Sequence, residues 1–226
     1  MEDKEKNRSL AGNVAIGFFV LGMVCVCVAF GTPNWLVSDP RISGARLDRF
    51  GLWTHCFRSL GDPYDVYQRR FFVGCRWIYD PFTTGYDNLR GYLIPGFMVA
   101  TQLFFTLCFI SVLISTILIL IYFLCCGPEQ RRFIHLVRII SWLLFGGGLC
   151  GGIAVIVFVT TANRPGWMPG HDNNFFGWSF VLAAVGVVAI LVSSILFFID
   201  LHISERKKRA LKESQAKFEM QAETKA

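Results

Sequence analysis

The sequence predicts an all-α membrane protein, a four-helix transmembrane bundle that carries a small extracellular antiparallel β-sheet. Three observations lead to this fold class. The 226 residues are 54% hydrophobic and only 17% charged, whereas soluble domains contain about 25% charged residues. The apolar residues are concentrated in four long runs. The long segment between the first two runs contains two cysteines and several short aromatic stretches separated by turn residues.

Each of the four apolar runs is long enough to cross a bilayer, because a helix needs about 20 residues to span the hydrocarbon core. The first run is too long for the core of a secretory signal and no small-residue cleavage site follows it, so we interpret it as a retained span. The predicted spans are 10–30, 92–126, 134–162 and 178–202. The remaining segments are the tails 1–9 and 203–226 and the loops 31–91, 127–133 and 163–177.

Two of the spans have unusual features. A helix from Leu89 to Cys126 would be about 57 Å long, so we expect it to project from the bilayer or to bend, with a kink at Pro95. The third span contains Gly146-Gly147-Gly148 and Gly151-Gly152, which permit close approach of another helix. A dimer face is one interpretation of these glycines. Packing inside the bundle is favoured, because every span in a small bundle needs such a face.

The basic residues predict the orientation of the chain. All seven lysines lie in the two tails, and the 127–133 loop adds Arg131 and Arg132, whereas the 163–177 loop has only Arg164. Basic residues favour the cytosolic side, so both termini are expected in the cytosol. The 31–91 loop contains eight arginines, but it is long enough for its translocation to be largely independent of charge.

Four of the eight cysteines lie where chemistry is expected. Only Cys56 and Cys75 occur in the long loop, and two cysteines in a translocated loop predict one disulfide. Two free thiols remain the alternative if that loop faces the cytosol. Cys125 and Cys126 lie at the expected cytosolic end of the second span, where S-palmitoylation is common. An inert pair at a helix end is the alternative.

Three β-favouring stretches predict the strands of the small sheet. They cover 34–37, 50–57 and 71–78, with turn residues between them. A sheet of three such strands is marginal in water. We expect the disulfide to add about 3 kcal/mol, and attachment to the membrane at both ends of the loop to stabilise it further.

The sequence disfavours an enzyme or a carrier. It contains no nucleophile elbow, phosphate-binding loop or zinc-protease motif, and its four histidines are scattered. Inside the spans we find few polar side chains, chiefly Asn13 and Gln102, with Arg138 close to an end. Carriers usually need buried ionisable groups or broken helices. No cofactor, metal or nucleic acid is therefore expected.

A set of loop residues resembles the signature of a known family. In order along the chain they are Trp35, Gly51-Leu52-Trp53, Cys56, Cys75 and Arg90. The pattern is similar to the Trp…Gly-Leu-Trp…Cys…Cys signature of the claudin and peripheral-myelin-protein (PMP-22) superfamily, which also has an arginine before its second span. Gly177-Trp178 resembles the Gly-Trp that opens the fourth span of that family. An aromatic belt at the membrane interface would not explain the glycine and cysteine neighbours.

The resemblance implies a left-handed four-helix bundle topped by a small sheet. Trp35, Gly51-Leu52-Trp53 and Arg90 would attach the sheet to the helix tops. The interval between Cys56 and Cys75 is longer than in vertebrate claudins, and the chain lacks their hydrophobic PDZ-binding ending. These departures make it more similar to the invertebrate claudin-like proteins of septate junctions, of the Pasiflora type.

The expected function is that of a claudin-like structural component of septate or tight-type cell–cell junctions at the lateral plasma membrane. Its extracellular loops would contribute to the paracellular barrier, and they contain residue types enriched at interfaces, namely Trp77, Tyr79, Phe82, Arg69 and Arg70. Expected partners are other junctional membrane proteins in cis and in trans, in a homo- or hetero-oligomer, together with membrane lipids. The alternative is a channel-regulatory subunit or a membrane-organising tetraspan protein of the same superfamily.

Overall fold

Four long helices dominate the computed structural model. They are α1 (Leu10–Gly31), α2 (Gly96–Leu124), α3 (Arg131–Thr161) and α4 (Trp178–Glu223). Each contains a stretch that is long and apolar enough to cross a membrane, so the predicted fold class is confirmed and the chain is a multi-pass membrane protein. The structure describes residues 9–39, 41, 45–61, 65, 67, 69, 71–81, 90–91, 93–124, 131–162, 164, 167–168 and 171–223.

The helices are packed in the order α1, α4, α3, α2, and α1 makes fewer contacts with α2. Glycines bring the neighbours close together. A Cβ atom on Gly22 of α1 would lie 2.8 Å from Ile190 of α4. A Cβ atom on Gly147 of α3 would lie 2.6 Å from the Cβ of Ser111 of α2. Packing inside the bundle, the favoured interpretation of the glycine-rich run, therefore holds for Gly147.

Two helices differ in extent from their predicted spans. Residues 90–91 and 93 are helical, but the helix is interrupted at Ile94 and Pro95, and α2 begins at Gly96. Helix α4 continues well beyond residue 202 to Glu223, so most of the predicted tail is helical. Near the start of this extension Arg138 of α3 donates a hydrogen bond of 2.6 Å to Glu205. We call this end of the bundle the tail end and the opposite end the sheet end.

A five-stranded antiparallel sheet lies at the sheet end. Its strands are β1 (Leu36–Ser38), β2 (Leu47–Phe50), β3 (Thr54–Gly61), β4 (Phe71–Trp77) and β5 (Asn174–Phe176). Their order in the sheet is β4-β3-β2-β1-β5. Strand β5 comes from the second loop on this side and pairs with β1, with Leu36 opposite Phe176. The sheet therefore joins both loops of the sheet end.

The prediction of three strands was wrong in number, for two physical reasons. The 50–57 stretch is divided by a tight turn in which the Gly51 N–H donates to the Thr54 carbonyl over 2.8 Å, so Phe50 ends β2 and Thr54 begins β3. Strand β5 has only three residues, which is too short for an alternating pattern to identify it.

Asp200 of α4 lies near the end of the fourth predicted span and was not among the polar side chains expected in the spans, yet it is 2% exposed. It accepts a hydrogen bond from the Ser9 hydroxyl. Ser9 is also the N-cap of α1, since its hydroxyl accepts from the Gly12 N–H over 3.1 Å. Asp200 thus connects the start of α1 to α4 at the tail end. A single carboxylate in an otherwise apolar run is easily missed when the run is judged as a whole.

We expect Gly147→Ala to destabilise the bundle and Gly146→Ala to leave it unchanged or slightly stabilised. The new methyl group at 147 would press on the Ser111 Cβ, which cannot move without the α2 backbone, whereas a Cβ at 146 meets nothing within 4 Å. Overpacking costs about 1–3 kcal/mol, which exceeds the helix-propensity gain of about 1 kcal/mol. Thermal unfolding of the two purified variants in detergent measures the difference. Equal midpoints would contradict the packing described here.

Candidate functional site

Trp35, at the start of β1, connects the sheet to all four helices. It is fully buried, and its indole N–H donates to the Ala29 carbonyl of α1 over 2.8 Å. Phenylalanine rings surround the indole edge-on, with centroid distances of 5.1 to 5.7 Å, from Phe105 of α2, Phe158 of α3 and Phe180 of α4. The Trp35 backbone N–H also donates to the Phe50 carbonyl, so the sheet cannot shift without disturbing this contact.

The Gly51-Leu52-Trp53 turn lies against the helix tops. A Cβ atom on Gly51 would be 2.5 Å from the Pro33 Cα, so only glycine allows this approach. Leu52 is fully buried, and its carbonyl accepts a hydrogen bond of 2.6 Å from Gln102 Nε2 of α2. The Trp53 ring packs on Phe30 of α1, with centroids 5.4 Å apart. The turn is therefore attached to two helices.

The second loop at the sheet end is attached next to Trp35. The Ser179 N–H donates to the Asn34 carbonyl over 3.2 Å, and the hydroxyls of Ser179 and Thr32 are 2.7 Å apart. Gly177 lies so close to the Asn34 carbonyl that a Cβ atom would collide with it. The predicted Gly177-Trp178 pair thus occurs where β5 leads into α4, with Trp178 half exposed.

Arg90 lies on the other side of the turn. Its guanidinium is over the ring of Tyr79, 5.9 Å from the centroid, and the Tyr79 ring is 6.3 Å from that of Trp53. The Tyr79 hydroxyl donates to Gln102 Oε1 over 3.3 Å. The structure therefore brings Trp53 and Arg90 together through Tyr79 and Gln102, a link that sequence reasoning missed. A polar residue near the top of an apolar helix is the signal that could have indicated it.

The predicted disulfide is confirmed. Cys56 of β3 and Cys75 of β4 are bonded, and they are directly opposed in the register of the two strands. The cross-link locks the two longest strands of the sheet. The second predicted pair, Cys125 and Cys126, lies outside the described residues. Among the residues that the structure describes, no cluster of histidine, cysteine or acidic side chains could hold a metal ion.

His55 is a buried titratable group of the sheet. It is 1% exposed and its ring lies 5.1 Å from Phe57 and 6.3 Å from Phe50, centroid to centroid. Burial, reinforced by the positive charge of Arg76 on the paired strand, lowers the pKa of His55 to about 4. His55 is therefore neutral in the folded sheet at physiological pH.

Three apolar side chains of β4 point away from the interior of the sheet. Phe71, Val73 and Trp77 lie an even number of residues apart on the same face of the strand, with Cys75 between the last two, and they are 58%, 60% and 54% exposed. We call them the apolar stripe. Strand β4 is also an edge of the sheet in the described part of the chain, and an edge strand offers backbone groups for pairing. An exposed apolar row beside this edge is suited to protein contact.

The other residues that were predicted to make protein contacts differ from one another in their surroundings. Tyr79 contacts Trp53, Arg90 and Gln102, as described above, and it is 38% exposed. The Arg69 guanidinium lies 5.3 Å from the ring centroid of Tyr67, on the exposed surface. Phe82 and Arg70 lie outside the described residues. Asp48 accepts from both Arg49 and Arg58, and such exposed pairs contribute only about 0–1 kcal/mol each.

The sheet should lose stability as the pH falls from about 6.5 towards 4. The unfolded histidine takes up a proton near pH 6.5, whereas folded His55 stays neutral until about pH 4, so acid stabilises the unfolded state by about 1.4 kcal/mol per pH unit. Above pH 6.5 this effect is absent. Thermal unfolding of the purified protein between pH 7.5 and 4.5 measures it. His55→Gln, which cannot titrate, should show a shallower pH dependence, and an identical slope would contradict the assignment.

Comparison with known proteins agrees with this architecture. The sequence model of one family, described as PMP-22/EMP/MP20/Claudin tight junction, matches residues 20–199. The match covers α2, α3 and both loops of the sheet end, together with the second half of α1 and the first half of α4. No individual curated protein matches the chain.

Proposed function

Because the chain belongs to the PMP-22, EMP, MP20 and claudin family, whose members are structural or membrane proteins rather than enzymes, we propose that it is a structural component of cell–cell junctions. It contributes to the paracellular barrier through the loops of its sheet end, at the lateral plasma membrane. The apolar stripe on a disulfide-locked sheet is the observation that carries this proposal. The septate junctions of invertebrates are the type of junction that the sequence favours.

We propose that the sheet end is extracellular and that both termini are cytosolic. The Cys56–Cys75 disulfide supports this orientation, because disulfides persist in oxidising compartments. The lysines of the two tails support it independently. The basic run Arg206-Lys207-Lys208-Arg209 then faces the anionic inner leaflet, where each residue contributes about 1 kcal/mol of attraction.

The apolar stripe makes contact with other junctional membrane proteins, in cis or in trans. Aromatic and large apolar residues are enriched in the buried centres of interfaces. The backbone of the sheet is fixed by Trp35 and by the disulfide, so little ordering entropy is lost when the stripe binds. A homo- or hetero-oligomer of such contacts would restrict the space between two cells.

Depletion of the protein from an epithelium should open the barrier to a large fluorescent dextran. Wild-type protein and Leu211→Asp should restore it, whereas Val73→Asp should reach the surface without restoring it. Val73 and Leu211 are similarly exposed, at 60% and 64%, but only Val73 belongs to the apolar stripe. A carboxylate buried without a partner in an interface costs about 3–5 kcal/mol, enough to abolish assembly.

Two results would contradict the junction proposal. One is an intact dextran barrier after depletion, with the protein spread evenly over the cell surface. This result would favour the alternative, a channel-regulatory or membrane-organising tetraspan protein. The other is restoration of the barrier by Val73→Asp, which would exclude the apolar stripe as the contact surface.

We also propose that Cys125 and Cys126 are S-palmitoylated at the cytosolic end of α2. Acyl-exchange labelling should be lost in the double variant Cys125→Ser/Cys126→Ser. It should be retained in Cys150→Ser, because Cys150 lies within the span formed by α3. Unchanged labelling of the double variant would show that the pair is unmodified.

A further inference from the structure

The exposed face of the sheet carries arginines at β2 and β3 that the proposed function does not use. Leu47 pairs with Phe57, and both side chains are buried. The next pair along the two strands, Arg46 and Arg58, therefore projects to the opposite, exposed side. Both arginines are exposed, and the Arg58 N–H donates to the Arg46 carbonyl over 2.9 Å. The two positive side chains thus lie directly opposite each other.

This arrangement is unfavourable for the sheet itself, because like charges directly opposite each other on neighbouring strands are destabilising. Asp48 offsets part of the repulsion, since its carboxylate accepts from Arg58 Nε over 3.3 Å and from Arg49 Nε over 3.2 Å. Within the described part of the chain, no acidic side chain forms an ion pair with Arg46. Three guanidinium groups therefore share one carboxylate. We call Arg46, Arg49 and Arg58 the basic patch.

The geometry of the basic patch suits a ligand with repeated anionic groups. A guanidinium presents its N–H groups in a planar fork that matches an oxyanion. Opposed residues on neighbouring strands have Cβ atoms about 5 Å apart, so the forks of Arg46 and Arg58 can converge on one anionic group. Arg49 lies about 10 Å further along the strand, at about 3.3 Å per residue. A polyanion could therefore contact both ends of the patch.

The surroundings of the basic patch favour a hydrated polyanion over a protein. No large apolar side chain between residues 45 and 61 is among the exposed ones, and Phe50, Phe57 and Leu60 are all buried. A protein interface has a core that is depleted in charge, and the apolar stripe on β4 offers such a core, whereas the basic patch does not. A polyanion needs no apolar core, because its charges are attracted to an entirely polar, positive surface.

We propose that the basic patch binds a sulfated glycan of the cell surface or the extracellular matrix. One sulfate lies between Arg46 and Arg58, and a neighbouring anionic group of the same glycan contacts Arg49. Clustered basic residues bind such glycans through their charges. The assignment shares with the proposed function the extracellular position of the sheet end, but it does not depend on a junctional role.

Binding of the purified full-length protein to immobilised heparin, the sulfated probe, tests the proposal. The basic run of the tail could also bind heparin, so every sample carries Arg206→Gln/Lys207→Gln/Lys208→Gln/Arg209→Gln. In this background Arg46→Gln/Arg58→Gln should weaken binding by about tenfold or more, because it removes charge-assisted hydrogen bonds to the probe. Arg41→Gln/Arg69→Gln removes the same charge from exposed arginines outside the basic patch and should bind like the parent protein.

Soluble competitors and salt identify the chemistry of the ligand. Hyaluronan, which has carboxylates but no sulfate, and poly-glutamate, an acidic peptide, should compete much less than heparin. Raising the salt from about 0.1 M to about 1 M shortens the screening length from about 10 Å to about 3 Å and should release the protein. Arg46→Gln alone breaks no ion pair of the described sheet and should also weaken binding, so the test survives if the double variant fails to fold.

Two results would overturn the proposal. One is an equal effect of the two double variants, which would show that binding depends on net charge alone. The other is competition by hyaluronan or poly-glutamate as strong as that by heparin. With poly-glutamate, this result would indicate an acidic protein surface as the partner instead.

Discussion

The burial of Trp35 among the four helices is the contact on which the rest of the sheet end depends. Its indole fills the space between Phe105, Phe158 and Phe180, and its N–H satisfies the Ala29 carbonyl. That carbonyl belongs to the last turn of α1, where helix carbonyls have no partner within the helix. One side chain therefore fills the space between the helices at the sheet end, satisfies a carbonyl in the last turn of α1 and holds the first strand of the sheet. Truncation of a buried aromatic residue costs about 3–5 kcal/mol, a large part of the stability of a small domain.

The sheet becomes a rigid platform because it is attached on several sides. Strand β5 pairs with β1 and so joins the two loops, while Gln102 holds the Gly51-Leu52-Trp53 turn through the Leu52 carbonyl. The disulfide joins β3 to β4, the edge strand that carries the apolar stripe. A surface fixed in this way can assemble with little loss of conformational entropy.

The bundle itself is held by close approach and by a few polar contacts at the tail end. In lipid, helices gain no hydrophobic energy from burying apolar side chains, so association relies on tight packing and hydrogen bonds. Gly22 and Gly147 allow the tight packing. The contact of Ser9 with Asp200 and that of Arg138 with Glu205 provide the polar contacts, at the tail end. The two ends of the bundle are thus closed differently, by an aromatic cluster at the sheet end and by charged groups at the tail end.

The sequence by itself determined the features that depend on composition over a local window: four membrane spans, a β-rich loop, and one disulfide from the only two cysteines of that loop. Tertiary structure decided the features that need partners far apart in the chain. The pairing of β5 with β1, the link between Gln102 and Leu52, and the burial of Asp200 beside Ser9 each join residues from different spans or loops. No local pattern identifies such a partner, because a three-residue strand or a single polar side chain is stabilised only by the surface against which it packs.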